Sequence, residues 1–138
     1  PGRGRARLPL PGNAWETWGM HQLLFVYGTL KQGFHNHSLM KGASLIGTGH
    51  TVERYAMYKH VVPSVIKGKP ISPIQGEIYL IHQSVLDMLD LFEGNPVWNF
   101  REQVEVILDA DGRRFSAWMY FNDIADGELI PTGVYTMD

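Results

Sequence analysis

In this 138-residue chain the clearest helical period lies in one short segment, Ser84 to Glu93 (SVLDMLDLFE), and strand-like segments flank it on both sides. A lone main helix must lay its apolar stripe on a sheet to hide it from water. That restricts the chain to an α+β fold, a compact mixed or barrel-like sheet with one principal helix. The strands are legible as short runs. Gln22 to Tyr27 (QLLFVY) is apolar and stops at Gly28, as a buried strand would. Ser44 to Tyr58 mixes β-branched and aromatic residues with Gly47 and Gly49, which predicts a bent or bulged strand. Ile74 to Ile81 is a third run. Phe100 to Asp109 alternates, with Val104, Val106 and Leu108 on one face. It passes through Asp111-Gly112 into Arg114 to Phe121, a hairpin pattern. Pro63, Pro70 and Pro73 predict irregular connections. Asn36 to Lys41 predicts a short helix capped by Asn36. For the main helix, Ser84 and Asp87 have capping-box spacing, and Gly94 marks the stop.

The termini and composition narrow the function classes. Residues 1–19 are rich in Pro and Gly and carry Arg3, Arg5 and Arg7. They are expected to form a disordered leader, or sequence added ahead of a natural start at Met20, with residues 20–138 forming one domain. The basic cluster sits on this leader rather than on the folded body, so nucleic-acid binding is not expected. The apolar stretch after the arginines is broken by Pro9 and Pro11, which argues against a secretory signal. No apolar run approaches the roughly 20 residues that span a bilayer, so no membrane partner is expected. The chain has no cysteine, which removes disulfides, thiolate nucleophiles and Cys-based metal sites, and suits a reducing, cytoplasmic location.

Glu93 is the most informative single residue. At about 100° per residue, Val85, Leu86, Met88, Leu89 and Phe92 gather on one side of the helix. Asp87 lies opposite and Asp90 on the flank, where both can be solvated. Glu93 follows Leu89 by four positions and so projects near the apolar stripe. It also stands at the negative end of the helix dipole, with Asp90 three residues earlier. Burial, dipole and like charge all raise a carboxyl pKa, and a carboxyl tuned towards neutrality can take and give a proton near pH 7. The spacing equally allows a structural role: an ion pair with Arg101, or a cap on a nearby amide.

The turn Tyr27-Gly28-Thr29-Leu30 follows a buried strand. Its glycine permits close backbone approach by a ligand, and successive amides can form an anion nest. An ordinary strand-ending turn fits the composition as well. Neither phosphate-loop glycine pattern is present. His35 and His37 lack the further ligands that a metal site needs, so no metal is expected. Ser38, Ser84 and Ser116 have no nucleophile-elbow context. Asn36 serves either as helix cap or as a bond to the Tyr27 turn. Tyr120 lies on an alternating strand, where packing is the usual role of an aromatic.

Taken in order, FVYGTLKQGFHNH, GEIYLI with LDMLDLFEG, FREQVEV and AWMYF resemble the γ-glutamylcyclotransferase-like family, and most closely its γ-glutamylamine cyclotransferase and AIG2-like branches. The resemblance spans roughly residues 23 to 122. It implies a small β-barrel decorated with helices, with no metal or organic cofactor. It implies Glu93 as the catalytic acid–base residue, Tyr27, Gly28, Thr29 and Leu30 as the substrate-binding turn and Tyr120 as a residue near the pocket. Asn36, in the resembling block, and Arg101, by its charge a partner for Glu93 or for a substrate carboxylate, are further substrate-binding candidates. The implied reaction converts a small γ-glutamyl amine or peptide to 5-oxoproline and a free amine. A non-catalytic ligand-binding module on the same fold is the alternative. One position departs from the pattern: many relatives have a Tyr two residues before the Arg101 position, whereas this chain has Asn99, with Trp98 beside it. That bears on substrate choice. The sequence does not define an oligomeric state.

Overall fold

A computed structural model of the protein describes residues 20–94 and 99–136. The expected leader and Trp98 lie outside the described residues. The strands are β1 (His21–Val26), β2 (Ser44–Thr51), β3 (Ala56–Lys59), β4 (Pro63–Ile66), β5 (Gln75–His82), β6 (Asn99–Leu108), β7 (Arg114–Asn122) and β8 (Glu128–Ile130). The helix α1 spans Gln83–Glu93. Five strands close a barrel in the order β1-β5-β2-β6-β7, and the remaining three form a side sheet in the order β4-β3-β8. All pairings in the barrel are antiparallel except the closing one, where β1 runs parallel to β7 with Leu24 opposite Trp118.

Alternation along the strands divides the apolar residues between two cores. Phe25, Ile78, Val104, Val106, Phe115, Ala117, Met119 and Phe121 face one cluster, which the side sheet extends with Met57 and Val65. The neighbouring positions Leu24, Val26, Tyr79, Ile81 and Tyr120 face the second, where α1 contributes Leu86 and Leu89. Both leucines are fully buried, each contributing roughly 1.5–3 kcal/mol. This second core fixes α1 across β1, β5 and β7, and so determines where the end of the helix lies.

Several expectations need correction. The helix is not started by a Ser84–Asp87 capping box. His82 occupies the cap, its Nδ1 accepting from Ser84 N–H at 3.1 Å, and Asp87 instead accepts from Gln83 at 2.9 Å. Gly94 does end the helix, at φ 75°, with its N–H donated to the Asp90 and Leu91 carbonyls. Only Leu86 and Leu89 of the expected stripe are fully buried, while Met88 and Phe92 are substantially exposed. The Asn36–Lys41 segment is a 3-10 turn, His37–Met40, without a side-chain cap bond. The long strand expected over 44–58 is two strands in different sheets. The first carries the expected bulge between Leu45 and Gly47. Pro63 opens a strand rather than an irregular link, the position in a strand that proline tolerates.

Candidate active site

The C-terminal end of α1 and the turn after β1 meet at a cavity of about 200 Å³. On one side stand Tyr27, Gly28, Thr29 and Leu30, with Asn36 behind them. Opposite are Phe92 and Glu93 from α1, with Asn99 and Tyr120 from β6 and β7. Val62, Pro63 and Ser64 from the start of β4, together with Asn122 and Asp126, complete the wall.

The turn is held from several directions. Lys31 N–H donates to the Gly28 carbonyl at 3.0 Å, and Leu30 O lies 2.9 Å from His37 Nδ1. Asn36 donates twice to Thr29, from its backbone N–H to the carbonyl at 3.0 Å and from Nδ2 to Oγ1 at 2.9 Å. Of the two roles open to Asn36, the bond to the turn is the one made. Gly28 has a plain steric reason: a Cβ there would stand 2.8 Å from Cγ of Pro63. The turn and the side sheet therefore touch through a residue with no side chain.

Glu93 is largely buried, and burial pushes its carboxyl up to about 6. A hydrogen bond from Asn99 pulls the other way, and the charge of Asp90 adds to the rise. Asn99 Nδ2 donates to Glu93 Oε1 at 2.7 Å and to the Glu93 carbonyl at 3.0 Å. One amide thus binds both the side chain and the otherwise unpaired carbonyl at the helix end.

Behind this pair lies a charged clamp. Arg101 Nε and Nη2 meet Asp90 Oδ1 and Oδ2 at 2.8 and 3.0 Å, a bidentate pair, and the guanidinium lies 4.2 Å from the centre of the Trp118 ring. Tyr120 Oη donates to Asp90 Oδ1 at 2.6 Å, and Tyr27 Oη donates to the Tyr120 carbonyl at 2.8 Å. Burial alone would raise the Asp90 carboxyl, but the bonds from Arg101 and Tyr120 outweigh it and hold it below its ordinary value. Burial raises both tyrosine hydroxyls well above theirs, so they stay protonated.

Seven of the eight expected site residues converge on one cavity: Tyr27, Gly28, Thr29, Leu30, Asn36, Glu93 and Tyr120. Arg101 does not. It is neither the partner of Glu93 nor on the cavity wall, because Asp90, expected to be solvated, takes both of its forks. Sequence reasoning missed Val62, Pro63, Ser64 and Asp126, which arrive through the side sheet and its connections, and Asn122 at the end of β7; none of them carries a pattern of its own. Ser64 is nearly buried, and its Oγ has no hydrogen-bond partner among the described residues. Among those residues no cluster of His, Asp or Glu is suited to hold a metal ion.

Comparison with known proteins places the chain among relatives. A protein of Methanocaldococcus jannaschii, provisionally named a gamma-glutamylcyclotransferase, is 40% identical over 115 residues, which cover 83% of this chain and 95% of that one. The gamma-glutamylaminecyclotransferase of Rattus norvegicus is 35% identical over 102 residues, covering 64% of this chain and 66% of its own. The crystal structure of an AIG2-like protein from Mus musculus superposes with a TM-score of 0.69 at 29% identity, over 74% of this chain and 77% of that one. Residues 24–137 match the family described as gamma-glutamyl cyclotransferase, AIG2-like. On that match, and on a relative that this chain spans almost end to end, the chain belongs to the gamma-glutamyl cyclotransferase, AIG2-like family.

Proposed function

We propose that the protein converts a γ-glutamyl amine or γ-glutamyl peptide into 5-oxoproline and the free amine, with Glu93 carrying the proton. The observation that carries this reading is a largely buried carboxyl, raised to about 6, on the wall of a cavity that it shares with the Tyr27–Leu30 turn.

The chemistry asks for little beyond placement and one proton carrier. The substrate's α-ammonium gives a proton to Glu93, and the free amine attacks the γ-carbonyl carbon of the same molecule. A ring C–N bond forms. Glu93 returns its proton to the amide nitrogen, and the tetrahedral centre expels that nitrogen as the old C–N bond breaks. The second hydrogen of the ring nitrogen passes by way of Glu93 to the departing amine, which leaves as an ammonium. Atoms balance without water or cofactor. The substrate's α-amino group is mostly protonated near pH 7, and a carboxylate near 6 receives its proton at about 2 kcal/mol less cost than one at the ordinary value. At neutral pH most Glu93 is still ionised and ready to act as base. Folding the glutamyl chain into ring-closing geometry supplies part of the roughly 7–11 kcal/mol that orientation can provide. Backbone amides of the Tyr27–Leu30 turn are the groups proposed to receive the α-carboxylate or the developing oxyanion.

The test is release of 5-oxoproline by purified protein from a panel of γ-glutamyl amines, γ-glutamyl dipeptides and glutathione. Turnover of at least one member, lost in Glu93→Gln, is the expected result. Unchanged turnover in Glu93→Gln rejects this residue as the proton carrier. No 5-oxoproline from any compound, together with thermal stabilisation by a carboxylated ligand, replaces the enzyme reading with a binding module.

A further inference from the structure

Asn99, the first residue of β6, has surroundings that give its amide a use. Its Nδ2 donates to two acceptors of one residue, Glu93 Oε1 at 2.7 Å and the Glu93 carbonyl at 3.0 Å. Its Oδ1 is buried and has no hydrogen-bond partner among the described residues. A buried carbonyl oxygen without a donor is costly. Turning the amide over would not relieve it, because Oδ1 would then face two oxygens of Glu93 while Nδ2 faced no acceptor. Two acceptors on one side therefore fix the amide orientation, and the unpaired oxygen is the consequence of keeping a donor on Glu93. Among the described residues no hydrogen bond reaches Oε2 of Glu93, and Glu93 lines the cavity.

The geometry points to Asn99 as a positioning residue that ties Oε1 of Glu93 and leaves Oε2 as the oxygen that takes and returns the substrate's proton. The inference rests on the cyclotransferase reading above and adds to it which oxygen works and what holds it. An amide N–H donates and never accepts, so the tie favours ionised Glu93 over the acid. It thereby opposes burial and the charge of Asp90, which favour the acid. Tyr27 and Tyr120 face it as raised, protonated hydroxyls, and Arg101 on β6 is committed to Asp90. Asp126 stands across the cavity wall.

The experiment compares Asn99→Leu and the isosteric Asn99→Asp with the wild-type protein. Two readouts are taken on folded material: the Glu93 carboxyl titration by carbon-13 NMR, assigned with Glu93→Gln, and the pH profile of 5-oxoproline release. In Asn99→Leu the Glu93 titration is expected to rise by about one pH unit. The acid limb of kcat/KM should follow it, reducing activity about threefold at pH 6.5 from ionisation alone. Loss of positioning should lower kcat about tenfold further with KM little changed. Asn99→Asp, which replaces a donor by a carboxylate of the same shape, should raise the titration at least as far. It keeps the test open should the leucine variant fail to fold. A Glu93 titration unmoved in a folded variant overturns the proposal whatever the activity. If wild type releases no 5-oxoproline at all, the proton-transfer role falls together with the functional reading. The NMR arm then decides separately whether Asn99 holds Glu93 as an ionised group.

Discussion

Glu93 holds its place at a cost that pH should reveal. Its folded-state pKa lies near 6 against an ordinary 4.5, so between those values the folded chain binds more protons than the unfolded one. The contribution of this group to stability therefore falls as pH rises through that window and is flat above it, with a total near 2 kcal/mol. Glu93→Gln removes the charge but keeps an oxygen that can accept from Asn99. That variant should be more stable than wild type by about 1–2 kcal/mol at pH 7, and the difference should vanish near pH 4. Denaturant melts at both pH values measure it, and a variant less stable at pH 7 contradicts the assignment. The sequence pointed to this residue because helix spacing alone puts a carboxyl beside an apolar stripe. It could not point to Asn99, since the contact joins two elements and is drawn by hydrogen bonds that no periodicity records.

At the scale of elements, α1 is held to the barrel by two attachments of different kinds. Leu86 and Leu89 attach it through apolar packing. Leu89→Ala should cost about 2–5 kcal/mol, read from the midpoint of a urea melt. It should also lower kcat, because Glu93 lies one helical turn further on the same face. The second attachment is the Asp90–Arg101 pair, both side chains less than a fifth exposed. Removing one partner of such a pair leaves the other charge poorly solvated, so Asp90→Asn should destabilise by roughly 2–4 kcal/mol. The same change removes a negative neighbour of Glu93, and the acid limb of the activity profile should move to lower pH. A profile that stays in place while stability drops would confine Asp90 to a structural role. The sequence legibly gave α1 its Gly94 stop, which is local chemistry. It misread Asp90 as solvated because the arginine that buries it arrives from a strand eleven residues later.

For the molecule as a whole, the division between what could and could not be read follows distance along the chain. The β6–β7 hairpin was legible from its alternation and its Asp111-Gly112 turn, which are contiguous. The side sheet was not: β8 pairs with β3 from some seventy residues away, and β8 is only three residues long. Barrel closure depends on a single parallel register, Leu24 opposite Trp118, which nothing in either strand announces. The family match begins at residue 24. A chain lacking residues 1–19 is therefore expected to retain its melting temperature and any 5-oxoproline release within error. Loss of either on truncation would move the working domain boundary ahead of Met20.

Pro63 and Ser64 of the side sheet, with Val62 just before them, line the cavity, while Glu93 and Asn99 reach it from α1 and β6. On the proposed reading, recognition of the departing amine falls to the side sheet and the bond-making step to α1 and β6, which are separate stretches of chain. Such modularity allows selection to revise what the protein accepts without disturbing how it reacts. Exchanging segments 60–64 and 122–127 between homologues should carry over leaving-group preference while the shape of the pH profile stays with the recipient.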